Sequence, residues 1–467
     1  MGIWHSLKFG ARALSLKKVM RKPLAEIERI QRRRLERLVR HAREHSPFYR
    51  ERLAGIKEAE FRLTDLPTTN KAAMMADLDS VFTVRDLRRD EINKFFDDES
   101  NLGKFYRNEY VVSHTSGSQG QPLVIVQTKA DLELLFALQA SRGNRQSLGI
   151  GQMLQRFSSP VHLASVTLQR GFYPSAIAFE YMPEGPRQFI KTLRLSLGED
   201  DLLDRLQEFR PTHLTAYASV LHQLAREIEQ GKLKLPDLQQ VVNISERLMP
   251  KARKHYEKIF GAAILDDYAM GECLFLSNGC LTSGGMHVNA DWAILEVVDE
   301  NNQPVPAGKK GAKVLLTNLS NFVQPFIRYE IGDLITMATE HCDCGNGLPL
   351  IGRVGGRDSD LFWIETPTGA RPLPPAIFDF ALASIMDVRE YQVILENNNH
   401  VRVLIEPLPG VGVDLEQAEQ AIREQLDQFG LDHQLQIDVD LVERLTPEKG
   451  AKFKRFVNKQ PRPAKTS

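Results

Sequence analysis

The run Ser113-His114-Thr115-Ser116-Gly117-Ser118-Gln119-Gly120-Gln121-Pro122 places hydroxyls and glycines directly after the apolar stretch Tyr110-Val111-Val112. Glycine tolerates backbone angles and close approaches that other residues do not. Such a loop can therefore turn backbone N–H groups and hydroxyls onto a phosphate. It lacks the Gly-Lys-Ser/Thr ending of the common P-loop, and alone it also reads as a plain turn. A second segment, Asp266-Asp267-Tyr268-Ala269-Met270-Gly271-Glu272, follows an apolar strand. The Tyr268 ring can stack on a nucleobase, and the Glu272 carboxylate can hold Mg2+ beside phosphates. A third, Arg328-Tyr329-Glu330-Ile331-Gly332-Asp333, presents Asp333 after a glycine, where a carboxylate can accept bonds from a pair of sugar hydroxyls. Two polar segments follow. One runs from Gly352 through Arg357 and Asp358 to Asp360; the other is Gly450-Ala451-Lys452-Phe453-Lys454-Arg455. The first reads as a hinge or a linker. The second reads as an anion-reaching lysine or a basic tail.

Cysteine usage raises a separate chemistry. Cys280 and His287 share one turn-rich stretch, and Cys342 and Cys344 share another. Soft pairs on two segments can form a tetrahedral Cys3His zinc site, although Cys-x-Cys is tighter than the usual structural spacing. The alternative is four reduced structural thiols, with Cys273 a packing residue. His341 is a weaker ligand candidate.

These residues need a scaffold. The chain has 467 residues, which points to more than one domain, with 42% hydrophobic and 26% charged residues as in globular proteins. Lys+Arg and Asp+Glu both number 60, so the balanced charge argues against nucleic-acid binding. Few cysteines in so long a chain fit a reducing compartment, and a cytoplasmic location is expected. No apolar run is long enough to span a bilayer. Residues 1–25 lack acids and mix basic with apolar residues. They read as a helix docked on its own domain or as an interfacial helix.

Apolar spacing predicts a helix from Leu24 to Ala42, ended at Ser46-Pro47, with the Arg32-Arg33-Arg34 cluster on a solvated face. Between 130 and 330, helices at Asp131–Arg142, Leu202–Phe209 and Val220–Glu229 alternate with strands. Those strands are Leu214–Tyr217, Gln240–Ile244, Ala263–Asp267, Ala293–Val298 and Lys313–Thr317. The alternation predicts a layered α/β fold. Beyond 356, a hairpin pair (Gln392–Leu395, His400–Ile405), a helix (Leu415–Phe429) and a strand (Gln434–Val442) predict a small α+β domain. The expected division is 1–356 and 357–467.

In this order, the segments resemble the adenylate-forming superfamily of acyl-CoA synthetases, luciferases and adenylation domains. Within it they look most like phenylacetate–CoA ligase-like proteins and their capsule-biosynthesis relatives. His45-Ser46-Pro47-Phe48-Tyr49-Arg50, Leu66-Pro67-Thr68-Thr69-Asn70-Lys71 and Ser245-Glu246-Arg247-Leu248 add to the likeness, which covers nearly the whole chain. The resemblance implies a large α/β domain and a small mobile one. It implies ATP-dependent conversion of a small carboxylic acid to an acyl-adenylate, then thioester formation with coenzyme A. A carrier protein or an amine is the alternative acceptor, and a homodimer is compatible with it.

By the same resemblance, Thr115, Ser116, Gly117, Ser118 and Gly120 hold the ATP phosphates. Tyr268 stacks on adenine, Asp333 and Arg357 serve the ribose, and Glu272 holds Mg2+. Lys452 is the mobile lysine and Asp358 the hinge, while Tyr217, Ser245, Glu246 and Ala269 face the acid. Some relatives in this branch carry a metal at the cysteine site. Departures are Gly271, where the family has Thr or Ser, and Ala451, where it has Gly before Lys. They keep open Lys449 or Lys454 as the lysine, and a nucleotide-binding scaffold without turnover.

Overall fold

The computed structural model describes residues 2–57, 60–115, 122–143, 159–167, 171–246, 248–357, 362–366, 369–373, 377, 378, 381, 382, 385, 388–427, 430–446 and 453–459. Among them no helix is long and apolar enough to cross a membrane.

Helix α1 (Gly2–Val19) buries Phe9, Ala13 and Leu16 and packs along α3 (Lys129–Arg142). This face is the docked helix of the first expectation, while Trp4 and Leu7 stay exposed. Helix α2 (Leu24–His45) ends at Ser46, whose hydroxyl accepts from the Tyr49 N–H and so starts the next short helix. The arginine cluster departs from the expected solvated face. Arg34 pairs with Asp291 at 3.4 Å and lies 3.4 Å over the Trp292 ring, and Arg32 pairs with Glu36 at 2.6 Å. Only Arg33 of the three is exposed. Asp291 also receives a bidentate bond from the buried Arg142 at 2.8 and 3.0 Å, and Arg142 donates to the Leu16 carbonyl at 3.2 Å. One buried carboxylate thereby ties α1, α2 and α3 together.

The hairpin β1 (Tyr110–His114) and β2 (Val124–Thr128) flanks the Ser/Gly-rich run. Thr128 and Asp131 form a reciprocal capping box that starts α3.

The strands β3 (Val161–Thr167), β4 (Ile190–Ser196), β5 (His213–Ala216), β6 (Gln240–Ile244) and β7 (Ala263–Asp267) form a parallel sheet in the order β4-β3-β5-β6-β7. Its crossovers are α4 (Pro174–Glu180), α5 (Leu202–Phe209), α6 (Ala218–Glu229) and α7 (Pro250–Phe260). Strands buried between helices read as short apolar runs, which is why β5, β6 and β7 were legible, whereas β3 and β4 were not among the expected strands. Helix α6 buries Val220, Leu221, Leu224 and Ala225 at helical spacing. Helix α7 stops at Gly261, whose φ of 62° suits the left-handed end of a helix.

Strands β8 (Ser277–Gly279), β9 (Met286–Val288), β13 (Asp333–Met337) and β14 (Leu350–Arg357) make an antiparallel sheet. A further sheet holds β10 (Ala293–Val298), β11 (Lys313–Asn318) and β12 (Tyr329–Ile331). Strands β15 (Phe362–Thr366) and β16 (Gly369–Leu373) form a hairpin.

Residues 388–458 build a sheet of their own, ordered β19-β18-β17-β20. It comprises β17 (Val388–Asn397), β18 (His400–Pro407), β19 (Gln436–Leu441) and β20 (Phe456–Asn458). Helix α8 (Leu415–Asp427) covers it with Ala418, Ile422 and Leu426. The last predicted strand begins later than expected, because residues 432–434 form a 3-10 turn. This sheet meets α6 and α7 through buried polar groups. Glu406 accepts from His222 Nε2 at 2.9 Å, from Leu445 N–H at 2.8 Å and from Arg226. Burial holds the His222 imidazole below its ordinary range, against the pull of Glu406. It can then donate to Glu406 and accept from Tyr256.

Candidate active site

In an open parallel sheet, ligands gather outside the carboxyl ends of the strands. Tyr217 follows β5, Ser245 and Glu246 follow β6, and Tyr268 and Ala269 follow β7, so the sheet brings these candidates to one edge. The Tyr217 hydroxyl is 2.8 Å from Ser175 Oγ on α4. Burial pushes the Tyr217 phenol up, against hydrogen bonds from Ser175 and Ser245. Ser175 was not a sequence candidate: it sits in an ordinary Pro-Ser helix start, and only the fold places it there.

Tyr268 and Asp333 lie 65 residues apart, yet the Tyr268 hydroxyl donates to Asp333 Oδ2 at 2.6 Å. Ser277 Oγ grips the Tyr268 backbone on both sides, at 2.9 Å from its N–H and 2.9 Å from its carbonyl. Asp333 pairs in register with Arg357 across β13 and β14, so the backbones of the two ribose candidates are neighbours. The preceding carboxylate, Asp267, accepts from Gly279 N–H at 2.7 Å and Gln139 Nε2 at 3.1 Å. Burial raises it to about 6 in spite of those bonds.

Glu272 sits on a tight turn closed by the backbone of Met270 and Cys273. Its side chain is buried at 9% exposure and meets the Tyr329 hydroxyl. Burial, then the Glu272 charge, raises the Tyr329 phenol far above its usual range, so it donates to the carboxylate. Asn318 Nδ2 holds the Glu272 carbonyl at 2.7 Å. A buried carboxylate with one neutral donor is a fitting oxygen ligand for Mg2+, which keeps several waters and shares phosphate oxygens.

The departure at Gly271 has a steric cause. A Cβ there would lie 2.4 Å from Ile125 Cδ1 on β2 and 2.9 Å from Pro174 Cγ. The glycine lets the Glu272 turn press against the hairpin that carries the Ser/Gly-rich run. Gly271→Thr is expected to lower stability by about 1–3 kcal/mol through overpacking, read as a lower urea midpoint. An unchanged midpoint would refute that cause.

Thr115 closes the mouth of that run. Its N–H and Oγ1 pair with the Leu123 carbonyl and N–H, each at 3.0 Å. Ser116, Gly117, Ser118, Gly120, Asp358 and Lys452 lie outside the described residues, as does the alternative Lys449. Lys454 is described, and its carbonyl accepts from Gln392.

The cysteine expectation is met in geometry. Ligand atoms of Cys280, His287, Cys342 and Cys344 all lie within 4.8 Å of one another, without His341. Cys280 Sγ is 3.5 Å from Cys342 Sγ, and Cys344 Sγ is 3.3 Å from His287 Nε2. Tetrahedral zinc with bonds of about 2.3 Å sets its sulfurs about 3.8 Å apart, so the cluster fits the ion. His287 Nδ1 faces the Leu348 carbonyl at 2.9 Å, which fixes the tautomer and turns Nε2 inward. Cys273 is fully buried, and burial pushes its thiol far up, so it is a packing residue and not a nucleophile.

No family model matches the chain. It is 27% identical over 387 residues to a phenylacetate-coenzyme A ligase of Thermus thermophilus, covering 80% of this chain and 79% of the relative. It is 26% identical over 354 residues to a phenylacetate-coenzyme A ligase of Escherichia coli, covering 73% of each. The crystal structure of 2-hydroxyisobutyryl-CoA ligase in the postadenylation state superposes with a TM-score of 0.70 at 21% identity, covering 95% of this chain and 92% of that one. The fold is therefore that of the adenylate-forming enzymes. Within that class the sequence is most similar, among these relatives, to the phenylacetate-coenzyme A ligases.

Proposed function

We propose that this protein is an acid–thiol ligase. A carboxylate attacks the α-phosphorus of ATP, the bond to pyrophosphate breaks, and an acyl-adenylate forms. Coenzyme A thiol then attacks the acyl carbon, giving a thioester, AMP and a proton. The bond between Tyr268 and Asp333 carries this reading, because it unites an aromatic face and a diol-binding carboxylate at the carboxyl edge of the sheet. The relatives named for phenylacetate and coenzyme A favour a thiol acceptor over an amine.

In this reading the loop from Thr115 to Gly120 cradles the phosphates, and Tyr268 lies against adenine. Asp333 and Arg357 take the ribose. Tyr217, Ser245 and Ala269 line the acid's entry. Glu272 would hold Mg2+, whose charge offsets that of the phosphates. Lys452, on a small unit beginning near 357 and hinged at Asp358, brings positive charge to the reacting oxygens. Attack of one anion on another needs such placement more than a strong base. Cys280, His287, Cys342 and Cys344 would hold a structural zinc that closes their loops. None of the four cysteines is disulfide-bonded, which agrees with a cytoplasmic, reducing setting.

Carboxylate-dependent ATP–pyrophosphate exchange tests the reading, screened over pooled aryl, fatty and amino acids with Mg2+. Exchange with one pool, followed by consumption of free coenzyme A, is expected. ATP binding without exchange in any pool would overturn it.

A further inference from the structure

We infer that Glu246 is a positioning residue that holds the Lys452 segment against the large unit for the adenylation step. The inference rests on the function proposed above. Its first support is the backbone. The Glu246 N–H bonds the Ile244 carbonyl at 2.7 Å, closing a tight turn around Ser245, whose φ is 64°. A positive φ at a non-glycine residue is strained, and such strain persists only where the surroundings impose it. Here Asn243 Nδ2 braces the turn by donating to the Glu246 carbonyl at 2.7 Å. The turn lies at the carboxyl end of β6, on the edge where Tyr217 and Tyr268 converge.

The second support is what the side chain does. Oε2 accepts from the Ser219 N–H at 2.8 Å, in the first turn of α6, where N–H groups lack helical partners and favour an anion. Oε1 accepts from the Phe453 N–H at 3.2 Å. Phe453 directly follows Lys452. The residues just beyond it belong to the other unit. The Lys454 carbonyl accepts from Gln392, Arg455 clasps Glu390 at 2.7 and 2.8 Å, and Phe456 opens β20 beside β17. Phe453 thus lies just ahead of β20, where the chain meets the edge that follows β6 before it joins its own sheet. A carboxylate, with an oxygen for each N–H, can join the two; an amide offers one oxygen and sets an NH2 against the other donor.

The test compares wild type, Glu246→Ala, Lys452→Ala and the double variant. Amide hydrogen exchange is read across 446–459. With the acid that supports turnover, both half-reactions are measured: ATP–pyrophosphate exchange, and thioester formation from supplied acyl-adenylate and coenzyme A. In Glu246→Ala the Phe453 amide is expected to lose protection while β19 keeps its own. The maximal exchange rate is expected to fall on the order of a hundredfold with little change in the KM for ATP. Thioester formation should stay near wild type, and the double variant should be no slower than Lys452→Ala. Unchanged protection at Phe453 overturns the inference. So does an equal fall in both half-reactions, which marks a merely structural role. A wild type without exchange counts against the function instead, and the amide arm then decides this inference alone.

Discussion

Glu272→Gln is expected to lower acid-dependent ATP–pyrophosphate exchange by about 10²–10³-fold, with the fold intact. The amide keeps an oxygen for the Tyr329 hydroxyl, and the Glu272 backbone is held separately by Asn318. What it loses is the negative charge that would hold Mg2+ against the phosphates. Excess Mg2+ should recover part of the rate, since a weaker ligand set raises the concentration needed. Initial rates against Mg2+ concentration, with the melting temperature recorded for each protein, decide the matter. A rate near wild type at low Mg2+ would remove Glu272 from the site.

The second large effect concerns the cysteine cluster. The purified protein is expected to carry about one zinc per chain, and stripping it with a strong chelator should cost about 2–4 kcal/mol. Cys280 and Cys342 stand 62 residues apart, so an ion joining them closes a long loop, where cross-links restrict the unfolded chain most. Cys280→Ser should give the same loss and make the chelator ineffective, as read by metal analysis and urea melts with and without chelator. Zinc-free protein with an unchanged midpoint would leave four reduced thiols as the explanation. The cluster is joined to the proposed ribose site through β14, which pairs with β9 at Leu350 and Ile351 and ends at Arg357. Loss of metal should therefore weaken ATP binding as well as stability.

Much of this arrangement was legible in the residues. The strands Gln240–Ile244, Ala263–Asp267 and Ala293–Val298 match their expected bounds, since buried strands are short apolar runs between turns. The order of the motifs gave the class of chemistry. Contacts between distant segments were not legible. Nothing in the spacing shows Tyr268 reaching Asp333, or Ser175 reaching Tyr217, because a crossover fold alone decides which loops share an edge. The same gap explains the arginine cluster. A run of like charges suggests water, but Asp291 and Trp292 arrive from far along the chain to meet Arg34. Gly271 reads as a lost hydroxyl until Ile125 and Pro174 are seen occupying its space. The Glu246 carboxylate joins a helix start at Ser219 to the Phe453 N–H, contacts between distant segments that no local pattern encodes.

The division of labour around the parallel sheet has an evolutionary consequence. Hydrophobic strands supply stability, whereas the groups proposed to face the acid sit in the stretches after β3, β5, β6 and β7. Apart from Tyr217, which is itself buried in the core, those stretches can vary with less disturbance to the core than the strands, so a lineage can trade one acid for another without rebuilding its scaffold. Ser175 and Ala269 are then the places where descendants of a common ancestor should first diverge in diet, while the strands behind them stay alike.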